Sequence, residues 1–379
     1  MTENASVEGK VPDATELGEG HVPRYMARPD GARRRRRRRL LLVLLVPLVF
    51  VAPIASALLI QPPEPVGVRL GYFPNMTHSQ ALVGLQLGMF TDHLASDMWL
   101  KTYIFNAGPS AIEALYAGKL DMTYIGPSPT ITGFVNSKGE ALRCIAGANS
   151  GGAVFVIRDG SGISAAQDLA GKKVASPQIG NTQDVALRHY LKLNGLKTKD
   201  DGGNVEVVSV PNADILTLFK KGELDAAWVP EPWGARLVNE AKGRILIDER
   251  TTWPNGAFVT TNIIVSTKFL REHPEAVRAI LEAHVEATLW INENPEVAKA
   301  VINDRLLNLT GKALTDKVLS ESFSRMNVTY DPVRSSLYAY ADWAYDLGLL
   351  GTEKPNLGSL YDLGPLNSVL AEKGLAPVA

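Results

Sequence analysis

Three short stretches place small residues bearing hydroxyl or amide groups just ahead of a helical pattern: Asn75 with Thr77, Gly126 with Ser128, and Gly180-Asn181-Thr182-Gln183. A helix start carries free backbone N–H groups and the positive end of the helix dipole, so such loops hold an anion without a lysine or arginine. Plain helix capping is the alternative reading of any one of them. A second constellation is Trp228, Glu231 and Trp233 in W-V-P-E-P-W. Its tryptophans suit either a flat apolar wall, with Trp228 the better placed, or a core position. Glu231 is suited either to receive an ammonium group or to cap the helix that follows.

Catalytic chemistry finds little support. The chain has no G-x-S-x-G elbow, no G-x-x-x-x-G-K-[ST] phosphate loop, no G-x-G-x-x-G and no H-E-x-x-H. Its six histidines are scattered, and only His78 falls in a candidate cleft loop. The single cysteine, Cys144, lies in the apolar stretch Leu142 to Ala146 and reads as a buried strand residue, with no disulfide and no cysteine metal site available to it. Glu282 and Glu286, paired at helical spacing, are expected to face solvent. No catalytic residue, cofactor or metal is expected.

The elements that must position these residues repeat. Gly118 to Pro129 reads G-K-L-D-M-T-Y-I-G-P-S-P, and Gly222 to Trp233, 104 positions on, reads G-E-L-D-A-A-W-V-P-E-P-W. Upstream, Ile112 and Leu115 fall on Leu216 and Phe219, the buried face of a helix. Each copy is helix, glycine stop, short strand and proline-punctuated loop, and the separation is domain-scale. In a parallel α/β sheet the loop after the carboxyl end of a strand faces the ligand crevice. Gly126-Pro127-Ser128-Pro129 and Pro230-Glu231-Pro232-Trp233 are therefore expected on opposite walls of one cleft. Strands alternate with helices as far as Ser266, Ser110-x-x-Glu113 predicts a capping box, and Pro274 and Pro295 begin helices in a helical carboxyl-terminal segment. The fold class is α/β with two lobes. The first crossing between them is expected near Arg158 to Gly162 and the return through Phe258 to Ser266, giving lobe 1 as 66–156 with 257–379 and lobe 2 as 157–256.

The chain has 379 residues, 45% hydrophobic and 21% charged, with a net charge of −1, the range of an ordinary globular protein. Basic residues concentrate in Arg33 to Arg39, within a tail spanning 1–39, and Leu40 to Ile60 follows without a charge. That run is long enough to cross a bilayer, with the tail cytoplasmic and the body outside. Ala55-Ser56-Ala57 also gives it the form of a cleavable signal. No aromatic residue interleaves the arginines, so nucleic acid is not the expected partner. Residues 61–65 form a stiff proline-rich spacer.

The stretches G-Y-F-P-N-M-T-H-S-Q-A-L-V-G from Gly71, both G-x-L-D copies, S-G-G-A-V-F-V-I-R from Ser150, G-N-T-Q-D from Gly180 and W-V-P-E-P-W together resemble the aliphatic sulfonate, taurine and nitrate-type solute-binding proteins of ATP-binding-cassette importers, over about 66–350. The resemblance implies a two-lobed periplasmic-binding-protein fold of type II-like form, hinged to close on a small anion or zwitterion and present it to a membrane permease, as a monomer. It places ligand contacts on Asn75, Thr77 and His78, on Gly126, Pro127 and Ser128, on Ser150, Gly151 and Gly152, on Gly180, Asn181, Thr182 and Gln183, and on Trp228 and Glu231. The absence of lysine and arginine from these loops favours a sulfonate or taurine-like ligand over nitrate. A pyrimidine-precursor biosynthetic enzyme on the same fold and a membrane-tethered sensor are the rival readings.

Overall fold

The small and apolar residues of V-G-V-R-L-G-Y form β1 (Val66–Tyr72), the first strand of the computed structural model, which describes residues 65–379. A short 3-10 turn at Met76–His78 leads into α1 (Ser79–Gln86) and α2 (Met89–His93), followed by β2 (Met98–Ile104), α3 (Gly108–Tyr116), β3 (Met122–Ile125), α4 (Pro127–Asn136) and β4 (Leu142–Gly151). The second lobe runs from β5 (Ala153–Arg158) through β6 (Lys173–Ser176), α5 (Thr182–Leu193), β7 (Glu206–Ser209), α6 (Asn212–Lys220), β8 (Ala226–Pro230) and α7 (Trp233–Ala241) to β9 (Gly243–Asp248). The chain then returns through β10 (Val259–Ser266), α8 (Thr267–Glu272), α9 (Pro274–Glu293), α10 (Pro295–Thr310), α11 (Asp316–Ser324), β11 (Met326–Val328), α12 (Arg334–Asp346) and α13 (Gly364–Glu372). Pro274 and Pro295 open α9 and α10, where a missing N–H costs nothing, and the Thr315 hydroxyl caps α11 by accepting from the Val318 N–H.

The lobe 1 sheet has the order β11-β4-β10-β3-β1-β2, and the lobe 2 sheet β7-β6-β8-β5-β9. In lobe 1, β1 pairs in parallel with β2 and β3; in lobe 2, β6 pairs in parallel with β7 and β8. The repeat is structural. Helices α3 and α6 start at Gly108 and Asn212 and strands β3 and β8 at Met122 and Ala226, and Gly118 and Gly222 both turn with positive φ, 63° and 76°. The shared aspartate does the same work twice: Asp121 Oδ2 accepts from the Arg69 N–H at 2.8 Å, and Asp225 Oδ2 from the Lys173 N–H at 3.0 Å. Each carboxylate thus fixes the start of one parallel strand against the next.

The lobes meet the chain at different residues from those expected. Strand β5 lies wholly in the second sheet, so the first crossing is at Gly151-Gly152 rather than near Arg158 to Gly162. Both glycines have positive φ, 75° and 79°, and a Cβ on them would approach Arg325 O to 2.6 Å and Met326 Cγ to 2.7 Å. Asp159-Gly160 instead makes a turn at the outer end of β5, closed by the Ser161 N–H on Arg158 O. Strand β10 is a full member of the first sheet, between β4 and β3, so residues 249–258 make the return crossing. The capping box at Ser110 does not form: Pro109 suits the first turn, α3 starts at Gly108, and Ser110 lies inside the helix.

The first sheet packs one face on α1, α9, α10 and α11, centred on Tyr72, Met76, Leu82 and Ile280. Its other face joins lobe 2 in one continuous apolar cluster through Phe155, Trp228, Phe258 and Tyr340. The basic tail, the apolar run and most of the spacer lie outside the described residues. Among the described residues no helix is long and apolar enough to cross a membrane.

Candidate functional site

The carboxyl ends of the parallel strands in the two sheets point at one another, and the loops that leave them enclose a cavity of about 20 Å³, room for roughly one water. Lobe 1 lines it with Phe73, Asn75, Thr77 and His78 after β1, Asn106 and Ala107 after β2, Gly126 after β3, and Thr260 on β10. Lobe 2 lines it with Asn181, Thr182 and Gln183 after β6, Asn212 after β7, and Pro230 at the end of β8. No lysine, arginine, aspartate or glutamate is among these residues. Ala107, Gly126 and Asn181 are the residues before α3, α4 and α5, and Asn212 is the first of α6. None of these four helices is capped by the side chain of its own N-cap residue, so the capping reading fails for Asn181, and the helix starts keep their positive ends toward the cleft.

Several of the polar side chains are turned in one sense. Asn75 Oδ1 accepts from Trp233 Nε1 at 2.9 Å, and Gln183 Oε1 from Asn181 Nδ2 at 2.8 Å. His78 Nδ1 accepts the Phe73 N–H at 3.3 Å, which puts the proton of the neutral ring on Nε2. Burial lowers the His78 pKa to about 3, so the ring stays uncharged at neutral pH. Thr182 Oγ1 accepts the Ser128 N–H at 3.4 Å across the lobes, leaving its own proton to donate. On Asn75, Gln183 and His78 the acceptor is occupied and a donor remains, whereas Asn181 has spent an amide proton on Gln183 and Asn212 Oδ1 has no partner among the described residues. The committed donors suit an oxyanion.

Other residues expected at the site lie elsewhere. Pro127 and Ser128 form the first turn of α4, and the buried Ser128 Oγ has no partner among the described residues. Ser150, Gly151 and Gly152 occupy the first crossing, where Ser150 Oγ accepts the Phe258 N–H at 3.2 Å. The Gly180 N–H donates to Asp184 Oδ2 at 2.9 Å and shapes the turn before α5. Trp228 belongs to the lobe 2 core, stacked on Phe155 at 5.1 Å between ring centres, and its indole donates to the buried Glu249 carboxylate at 2.7 Å. Glu231 is fully buried and accepts from Arg325 Nε at 2.6 Å, the Ala235 N–H at 2.9 Å and Ser322 Oγ at 3.1 Å. Its capping role is therefore realised, and an ion pair occupies the carboxylate that an ammonium group would need.

Phe73, Asn106, Ala107, Asn212 and Thr260 line the cavity without having been singled out in the sequence, and Pro230 brings in the loop expected on the second wall. The repeat held the signal for Ala107 and Asn212. They stand at the starts of its paired helices, each after a parallel strand, and so at the same end of the sheet as the loops already chosen.

A larger, open groove of about 660 Å³ lies on lobe 1 beside Arg69, Asp121 and Lys268, at the opposite end of the strands. Its Arg69 guanidinium is already held by Asp121 and by Gly118 O, so it presents no free recognition group there. The Cys144 thiol is buried, which raises its pKa, and among the described residues no group of histidine, cysteine and carboxylate side chains is arranged to hold a metal.

The sequence matches the NMT1-like family over residues 61–304. A Brucella abortus (strain 2308) protein named as a binding protein is 28% identical over 291 residues, covering 72% of this chain and 82% of that one. The taurine-binding periplasmic protein of Escherichia coli (strain K12) is 28% identical over 196 residues, covering 51% of this chain and 58% of its own length. Among solved structures, the alkanesulfonate-binding protein SsuA from Xanthomonas axonopodis pv. citri, bound to MOPS, aligns with a TM-score of 0.63 at 20% identity, covering 77% of this chain and 96% of that one. The two-lobed α/β architecture is common to both.

Proposed function

This chain belongs to the NMT1-like family, and on that premise we propose that it is an extracytoplasmic solute-binding protein, which captures a small sulfonate or taurine-like ligand between its lobes and delivers it to an ATP-binding-cassette permease. The observation that carries this reading is the convergence of four helix starts, none capped by its own N-cap side chain, and several committed donors on a cavity without a charged side chain. Neutral donors and helix dipoles stabilise an oxyanion while leaving it free to depart, as delivery requires. The names of the relatives support the ligand class.

Hinge closure follows from differential affinity. A ligand that touches both lobes favours the closed arrangement, and one that touches a single lobe shifts nothing. The ligand contacts of this reading are Asn75, Thr77, His78, Gly126, Asn181, Thr182, Gln183 and Asn212, with Asn106 at the rim. The apolar run 40–60 tethers the protein to the membrane in the same reading. An enzymatic role is disfavoured, since a histidine kept neutral down to about pH 3 is a weak general base and Cys144 sits inside a strand.

A thermal-shift panel tests the function. Taurine or ethanesulfonate at a hundred times its Kd is expected to stabilise the native state by about 2.7 kcal/mol and raise Tm accordingly, with nitrate, bicarbonate and pyrimidines weaker. No shift from any anion would refute the oxyanion reading.

A further inference from the structure

Asn75 and Trp233 come from opposite lobes, one from the loop after β1 and the other from the first residue of α7. The indole N–H of Trp233 donates to Asn75 Oδ1 at 2.9 Å, and beside it the Met76 N–H donates to Glu231 O at 3.0 Å, which sets the register of the two loops. The Trp233 ring is fixed from outside by the Arg236 guanidinium, 4.6 Å from its centre. An asparagine amide offers an acceptor at one end and donors at the other, and turning it over exchanges the two. With the oxygen taken by the indole, Nδ2 is the end left, and it has no partner among the described residues.

The other committed donors differ in where their partners come from. Gln183 is held by Asn181 within lobe 2, and His78 by Phe73 within lobe 1, so both are set whether the lobes are open or closed. Asn75 is set only by the opposite lobe. We propose that Trp233 is a positioning residue that, on closure, commits Asn75 to donate toward the oxyanion ligand. While the lobes stand apart, Asn75 is free to present either end, and part of the selectivity is completed by closing. Trp233 acts through Asn75 and not as an aromatic wall, since it does not itself line the cavity.

The inference rests on the oxyanion reading of the same cavity, and a double-mutant cycle on taurine affinity separates the two. Trp233→Phe keeps an aromatic ring near Arg236 and removes the N–H together with the five-membered ring that carries it, and the Asn75→Ala background separates the two losses. The substitution is expected to weaken taurine binding about fivefold, the worth of one hydrogen bond, and to cost less than about twofold when Asn75 is already alanine. Losses that simply multiply would overturn the positioning role while leaving the function intact. If neither taurine nor ethanesulfonate binds the wild type, the oxyanion reading fails and the inference falls with it. A second measurement needs no altered protein: the Trp233 indole N–H resonance is expected to shift and exchange more slowly with water when taurine saturates the wild type. An unmoved resonance under saturation refutes the proposal.

Discussion

Glu231 and Arg325 meet across the seam between the lobes, the carboxylate Oε1 accepting from the guanidinium Nε at 2.6 Å. Glu231 follows β8 in lobe 2, and Arg325 immediately precedes β11 in the lobe 1 sheet. The second carboxylate oxygen takes the Ala235 N–H and the Ser322 hydroxyl, so one buried side chain ties the W-V-P-E-P-W loop to its own helix and to the carboxyl-terminal segment.

Breaking this pair from one side leaves an uncompensated charge. Arg325→Met is expected to lower the unfolding free energy by about 3–5 kcal/mol in urea titrations, and adding Glu231→Gln to recover most of it. Glu231→Gln alone should change the affinities for taurine and ethanesulfonate by the same factor. A loss confined to taurine would return Glu231 to the role of ammonium acceptor.

Gly126 has no room for a side chain, because a Cβ there would overlap Thr182 Oγ1 from the facing lobe. Gly126→Ala is therefore expected to hinder closure: taurine affinity falls roughly tenfold or more, as for about 1.4 kcal/mol of closure energy, while the Tm of the empty protein changes little. Thr182→Ala removes the overlapping oxygen along with a ligand contact, so in calorimetry Gly126→Ala should cost less affinity in the Thr182→Ala background than in the wild type. An equal cost in both backgrounds would show that the contact does not limit closure.

Two buried histidines make stability depend on pH. His284 lies between the Tyr124 hydroxyl and Gly147 O, each at 2.9 Å, and burial lowers its pKa to about 4, as it lowers that of His78 to about 3. Both values lie below the ordinary 6.5, so between them and 6.5 the unfolded chain takes up protons that the folded one refuses. Their contribution is whole above pH 6.5 and is lost as pH falls toward 4 and then 3. Each histidine adds at most about 1.4 kcal/mol per pH unit to the slope. Urea midpoints measured from pH 7 to 4.5 should fall less steeply for His284→Gln than for the wild type, and an equal slope would count against the buried neutral ring.

Asp121→Asn and Asp225→Asn test the repeat as a stabilising device. Each weakens a carboxylate that accepts a backbone N–H and pairs with an arginine, Arg69 in one lobe and Arg158 in the other. Losses of about 1–3 kcal/mol are expected in denaturant unfolding, larger at the less exposed Asp121. Taurine affinity should not change, since both residues sit at the far ends of β3 and β8 from the cavity. A drop in affinity would mean that the strand starts communicate with the cleft.

The architecture was legible because the repeat placed helices, strands and glycine stops in a register that the structure keeps, from Gly118 and Gly222 to the two aspartates. Loops chosen at the carboxyl ends of strands reached the cavity at Asn75, Thr77, His78, Gly126, Asn181, Thr182 and Gln183. What stayed hidden depended on partners far away in sequence. Glu231 reads as an open carboxylate until Arg325, 94 residues later, is known to pair with it. Trp228 reads as a wall until Phe155 and Glu249 are placed around it. Asn106 and Thr260 carry no local pattern, because one is a loop residue at the rim and the other lies within a strand whose neighbours are apolar or small.

The two crossings also order the assembly of the chain. Lobe 2 is continuous, and all five of its strands lie between Ala153 and Asp248. Lobe 1 is split, and β10, which joins β4 to β3, arrives only at Val259–Ser266. A chain emerging amino terminus first can thus complete its second lobe while the first waits as two unjoined pieces of sheet with exposed edges. The insertion of β10 then pairs long-separated segments and is the natural slow step of folding.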